Sequence, residues 1–370
     1  MTGSSVGKVI AFFISPHGFG HAARACSVIQ ELAIEANNHE IILATTVPRW
    51  FFEASLNIPF DYYPLQTDIG LIQSDPITVN IQGSLDALSS FLPFSETIVA
   101  NVAKEMTNRH CDLIVSDISP LGIAVAEEVG IPSLLLENFT WDWIYRGYQD
   151  EDSEFGKFAD YLEEVYSHTS WHILAEPFCE KKDVNLICRP ISRKPRSKKS
   201  NTRERLQIED ERPIVLVSMG GIESKLPNSH KLKSRNDLLF LVPGSGDQLT
   251  RHQNIICFPH KSEFYHPDLI ELSDVVISKI GYSTLAEVYQ AGLPFGYIPR
   301  VGFRESKKLE TFILRQMAGI EISEREYRDG DWIAKLNDLM ELPRLERPGL
   351  RGSKQAAQFL LEKLNAKTIG

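Results

Sequence analysis

The chain has 370 residues, 43% of them hydrophobic and 24% charged, with a formal net charge of -10. That is long for one core and suits two α/β domains of about 170–180 residues each. The acidic balance argues against nucleic acid as a partner, since phosphate-binding proteins carry a basic face. No apolar stretch approaches the roughly 18 residues of a membrane span, so no integral membrane contact is expected.

The opening residues 1–8 are small and polar, and the apolar run after them is too short for a signal-peptide core. Five scattered cysteines (Cys26, Cys111, Cys179, Cys188, Cys257) form no pair with zinc or redox spacing, which points to reduced thiols in a cytoplasmic protein.

Val9-Ile-Ala-Phe-Phe-Ile14 reads as a strand buried on both faces of a parallel sheet. Ser15-Pro-His-Gly-Phe-Gly-His21 breaks it, and 22–36 has helical apolar spacing through Ala25, Val28, Ile29 and Leu32. Strands follow over 40–46, 112–117 and 133–136, with a helix over 121–129. Short Gly/Pro connections between alternating strands and helices mean βαβ units and a parallel sheet.

Residues 189–205 are rich in Arg and Lys and poor in apolar side chains, which predicts a solvated linker. A second α/β run follows, with strands over 213–219, 238–242, 254–258, 274–278 and 295–299, a helix over 284–291, and an amphipathic helix over 353–364. The expected organisation is an N-terminal Rossmann-like acceptor-side domain over 1–185 and a linker over 186–211. A Rossmann-like donor domain over 212–350 and a C-terminal helix over 351–370 packing back on the first domain complete it.

Three clusters carry chemistry. In the first, Gly18 and Gly20 let the backbone turn tightly beside His17 and His21 at a helix start, where free N–H groups favour an anion. The third position of a dinucleotide fingerprint is Ala23, and no acidic residue ends the second strand, so NAD is poorly supported. His21 is either a structural residue or a general base. In the second, Lys279, Gly281, Tyr282, Ser283 and Thr284 join a strand end to a helix start, with Ser283 or Thr284 as cap. Glu287 there closes a capping box or accepts ribose hydroxyls. The third is Asp117 at a strand end, able to orient His21 or to cap a helix. Phe139, Trp141, Trp143, Tyr145 and Tyr148 either line an acceptor pocket or form core. The Asp-x-Asp triplets at Asp150/Asp152 and Asp329/Asp331 lie in loop-like runs and do not suggest a metal site.

Taken in order, these motifs resemble glycosyltransferases of the GT-B fold. Gly281-Tyr-Ser-Thr-Leu-Ala-Glu-Val-Tyr-Gln-Ala-Gly-Leu-Pro294 is similar to the donor-site motif of that superfamily. His17-Gly-Phe-Gly-His-Ala-Ala-Arg24, Leu113-Ile-Val-Ser-Asp117, Asn138-Phe-Thr-Trp-Asp-Trp-Ile-Tyr145 and Ser278-Lys-Ile-Gly-Tyr282 resemble, more closely, the N-terminal, glycosyltransferase-like half of plant L-arabinokinases. Their sugar-kinase half is not in this sequence, so no kinase activity is expected.

The resemblance implies two Rossmann-like domains facing a central cleft. It implies His21 as catalytic base with Asp117 behind it. Gly18, Gly20, Gly220, Gly221, Lys279, Gly281, Tyr282, Ser283 and Thr284 fall on the donor side, with Glu287 on the ribose, Phe258 near the base and Glu305 near the sugar. His17, Trp141 and Trp143 fall on the acceptor side. The acidic-Gln pair of plant-type enzymes is replaced by Arg304-Glu305, which leaves the sugar open. The implied activity is inverting, metal-independent transfer from a nucleotide sugar, foremost a UDP-sugar, to a small or lipid-linked hydroxyl acceptor, with no cofactor. A non-catalytic nucleotide-sugar sensor, or an epimerase or hydrolase on the same fold, are the alternatives.

Overall fold

The structure is a computed structural model and describes residues 7–73, 79–219, 228–300 and 302–366. The described residues of Met1–Asp75, Val79–Ile191 and Leu350–Gly370 form one compact unit, and those of Ser192–Gly349 form the other.

The first unit is built on seven parallel strands in the order β3-β2-β1-β4-β5-β6-β7. They are β1 (Val9–Ile14), β2 (Glu40–Thr45), β3 (Asp61–Pro64), β4 (Leu113–Asp117), β5 (Ser133–Glu137), β6 (Trp171–Ala175) and β7 (Leu186–Cys188). β1 lies between β2 and β4, and five of its six residues are buried, as an unbroken apolar run requires. On one face Phe13, Ile42, Ala44 and Ile114 pack with Leu121 and Val125 from the helix Pro120–Val129.

The second unit repeats the plan. β8 (Ile214–Ser218), β9 (Leu239–Gly246), β10 (Thr250–His252), β11 (Ile255–Pro259), β12 (Val275–Lys279), β13 (Phe295–Ile298) and β14 (Gly319–Glu321) follow the order β10-β11-β9-β8-β12-β13-β14. Only β10 runs antiparallel to its neighbour, β11. The α/β architecture read from alternating strands and helices is the one observed.

Boundaries differ in instructive ways. The helix expected from residue 22 begins at Phe19, because Gly18 adopts φ 79°, a conformation open to glycine, and serves as its N-cap. The helix expected from residue 284 begins at Tyr282 with Gly281 as N-cap. The basic stretch is not the solvated linker its composition suggested. Leu186–Cys188 is the last strand of the first sheet, Lys199–Arg205 is helical, and Ile191, Arg193, Thr202, Leu206 and Ile208 are buried. Long cationic side chains hide their stems and pair their heads, which composition does not register.

The C-terminal helix Gly352–Ala366 packs on Phe19–Glu35. Ser353 Oγ donates to Glu31 Oε1 at 3.4 Å, and Lys354 Nζ pairs with Glu35 Oε1 at 3.0 Å. Among the described residues no helix is long and apolar enough to cross a membrane. All five cysteines are free thiols.

Candidate functional site

In each sheet the winding reverses between two adjacent strands, β1 and β4 in the first and β8 and β12 in the second. Open α/β sheets bind ligands outside the carboxyl ends of such strands, because the connections diverge there and leave a crevice. His21 and Asp117 belong to the first of these places, and Lys279 and Gly281 to the second.

In the first unit, Asp117 closes β4 opposite Ile14 and is fully buried. His21, in the first turn of Phe19–Glu35, puts Nδ1 2.9 Å from Asp117 Oδ1. With Nδ1–H donated to the carboxylate, Nε2 keeps the lone pair that a base needs.

Arg24 lies three residues on, on the same face of the helix. Its Nε donates to Asp117 Oδ2 at 2.9 Å and its Nη2 to Oδ1 at 2.6 Å, while Nη1 donates to Asn138 Oδ1 at 2.6 Å. Burial by itself would push the Asp117 carboxyl up; the Arg24 guanidinium, aided by the His21 hydrogen bond, outweighs burial and holds it below the usual range.

Beyond Asp117, Ile118 has φ 51°, a left-handed conformation that a β-branched residue adopts only under strain of about 1–3 kcal/mol. Its carbonyl accepts from Tyr166 Oη at 2.6 Å and its N–H donates to Leu136 O at 3.2 Å, and these bonds hold it there.

The loop after β3 adds a carboxylate that carried no sequence signal. Asp68 Oδ1 accepts from Ser15 Oγ at 3.0 Å. Burial, with the nearby Asp117 charge, pushes this carboxyl up to about 7 against the hydrogen bonds from Ser15 and Trp141. Trp141, at 1% exposure, stacks on Tyr145 and meets His17 edge-on with ring centres 5.2 Å apart. Tyr145 Oη donates to Gly70 O at 3.0 Å. Trp141 and Trp143 are both buried, and His17 is the half-buried member of the group.

In the second unit, Lys279 ends β12, and Gly281 starts the helix that carries half-buried Ser283 and Thr284 in its first turn. Neither residue is the cap, because extended Gly281 occupies that position and makes no side-chain bond. Burial, reinforced by the nearby Arg300, lowers the Lys279 ammonium to about 7.

Glu287 does not return to the helix start as a capping box would require. Its Oε1 accepts from Arg193 Nε at 2.8 Å and its Oε2 lies 2.9 Å from His266 Nδ1. Burial would raise this carboxyl, but Arg193 and His266 together hold it low. His266 Nε2 is in turn 3.2 Å from Ser218 Oγ at the end of β8.

Phe258, expected near a base, is wholly buried against Phe264 in the core, since it lies inside β11. Tyr282 and Glu305 are buried, Glu305 as the residue preceding the helix Ser306–Gln316. Gly220 and Gly221 lie outside the described residues. Among the described residues, no group of three or more His, Cys, Asp or Glu is arranged to hold a metal.

Two seven-stranded, largely parallel sheets with this order define the GT-B glycosyltransferase fold. The calicheamicin glycosyltransferase superposes with a TM-score of 0.62 at 12% identity, over 97% of this chain and 94% of that one. Spinosyn forosaminyltransferase gives 0.59 at 16% identity, over 96% and 94%. A UDP-glucosyltransferase from Polygonum tinctorium that glucosylates indoxyl gives 0.58 at 13% identity, over 96% and 98%.

In sequence the chain resembles L-arabinokinase of Arabidopsis thaliana, 28% identical over 372 aligned positions. The match covers 98% of this chain and 35% of that protein, so the chain spans about a third of its curated relative. The resemblance to L-arabinokinases read from the motifs is therefore borne out. No family model matches the sequence.

Proposed function

We propose that the chain is an inverting, metal-independent glycosyltransferase that moves a sugar from a nucleotide sugar, foremost a UDP-sugar, to a small or lipid-linked hydroxyl acceptor. The observation that carries this reading is the 2.9 Å pairing of His21 Nδ1 with Asp117 at the switch point of the first sheet. Asp117 holds the imidazole in the tautomer that leaves Nε2 free of a proton. That nitrogen takes the acceptor hydroxyl's proton as its oxygen attacks the anomeric carbon. The bond from that carbon to the diphosphate breaks on the opposite face, inverting the centre. Negative charge gathers on the leaving diphosphate, and the first turn at Tyr282–Thr284 with Lys279 answers it through helix-start N–H groups and a cation. These groups supply the charge that a divalent metal would otherwise provide.

His21→Ala tests the reading. Turnover with a UDP-sugar and acceptor should fall by about 10²–10⁴-fold while UDP binding stays within a few-fold. Equal turnover in both proteins would end the proposal. Conversion of donor without acceptor would assign an epimerase or hydrolase instead.

One observation favours a second reading, a nucleotide-sugar sensor without turnover. Arg24 already balances the charge of Asp117, and its Nη2 is 3.2 Å from His21 Nδ1, so an imidazolium there draws less support from the carboxylate. A wild-type chain that binds UDP-sugars and transfers to no acceptor would establish this reading.

A further inference from the structure

The segment 192–198 enters the second unit without regular structure and lies along the helices His266–Leu272 and Tyr282–Ala291. One of its ties is Arg193, whose Nε donates to Glu287 Oε1 at 2.8 Å, with both side chains buried. The backbone N–H groups of Arg196 and Ser197 both donate to Asp268 Oδ1, at 2.6 and 3.0 Å. The guanidinium groups of Arg193 and Arg196 lie 5.1 and 4.4 Å from the centre of the Tyr265 ring.

The other oxygen of Glu287 faces His266, which is anchored in a first helical turn and tied to Ser218. A carboxylate binds a vicinal diol by accepting from both hydroxyls at once. Here each oxygen already has a donor, and the side chain is only 2% exposed. A ribose therefore reaches Glu287 only if one donor gives way. His266 is built into a helix, whereas Arg193 is carried by an irregular segment, and its guanidinium already rests against the Tyr265 face, which can hold it without the Glu287 bond.

We propose that Arg193 is a built-in competitor for the nucleotide: it pairs with Glu287 and gives that carboxylate up, keeping its contact with Tyr265, when a nucleoside diphosphate places its ribose there. This rests on the reading of Glu287 as the ribose carboxylate. Release of Arg193 removes one tie ahead of the two bonds to Asp268, and so loosens the backbone around Arg193–Lys194. The Arg193–Lys194 peptide then reports nucleotide occupancy.

Two measurements on the full chain test it, with UDP as the probe. Arg193→Gln should bind UDP at least about tenfold more tightly than the wild type, since a charge-assisted hydrogen bond no longer has to be broken. In the wild type, which does not depend on how the variant folds, saturating UDP should speed tryptic cleavage at Arg193–Lys194. Weaker UDP binding by Arg193→Gln, or UDP protection of that peptide bond, would overturn the competitor while leaving the donor site standing. So would unchanged cleavage in a chain that binds UDP. UDP binding by neither protein would instead remove the donor-site reading itself, and the competitor with it.

Discussion

Arg24 grips both carboxylate oxygens of Asp117, at 2.9 and 2.6 Å, while His21 shares one of them. The carboxylate behind the candidate base is thus half of a buried ion pair. Breaking such a pair from one side leaves an uncompensated charge in the core.

Arg24→Met should therefore lower stability at pH 7 by about 3–5 kcal/mol in urea denaturation. In the wild type the Asp117 carboxyl is depressed, so its contribution is present above the unfolded value and lost as pH falls through the folded one. The orphaned carboxyl of the variant takes up a proton more readily, so the deficit should shrink as pH is lowered toward 4. A deficit equal at pH 4 and pH 7 would show that the guanidinium acts through packing alone.

Asp68 predicts the opposite pH trend. Its carboxyl lies at about 7 in the folded chain against an ordinary value of 3.8, so the folded state holds a proton that the unfolded state releases. Stability is lost as pH rises between those values, by about 4 kcal/mol at 1.36 kcal/mol per unit. Asp68→Asn should match the wild type near pH 4 and exceed its stability at pH 8. Parallel stability curves from pH 4 to 8 would exclude a protonated Asp68.

The Lys279 ammonium, lowered to about 7 by burial and by Arg300, gives a third expectation. A bound diphosphate favours the charged amine, so binding takes up a proton near neutrality. UDP affinity should fall as pH rises above 7, by up to tenfold per unit. Titration calorimetry in buffers of different ionisation enthalpy should show the uptake. Lys279→Met should bind UDP more weakly at pH 6.5 and flatten the pH dependence; an unaltered slope would assign the uptake elsewhere.

The strands of both sheets were legible because a strand buried on both faces must be apolar throughout, and β1, β4 and β8 are. The turns at residues 15–21 and 278–284 were legible because glycine marks where the backbone leaves the regular regions, whereas the strand end at Asp117 left orienting His21 and capping a helix both open, and only the resemblance implied the pairing. Sequence left open which partner a charged side chain takes, since that depends on residues distant along the chain: Arg24 on Asp117 is 93 positions away and Arg193 on Glu287 is 94. The same blindness hid Asp68, a lone acid in a loop until folding removed its water, and the burial of Phe258 and Trp141. Periodicity records which face of an element avoids water; only the tertiary structure decides which buried charges meet, because desolvation makes an unpaired one too costly to keep.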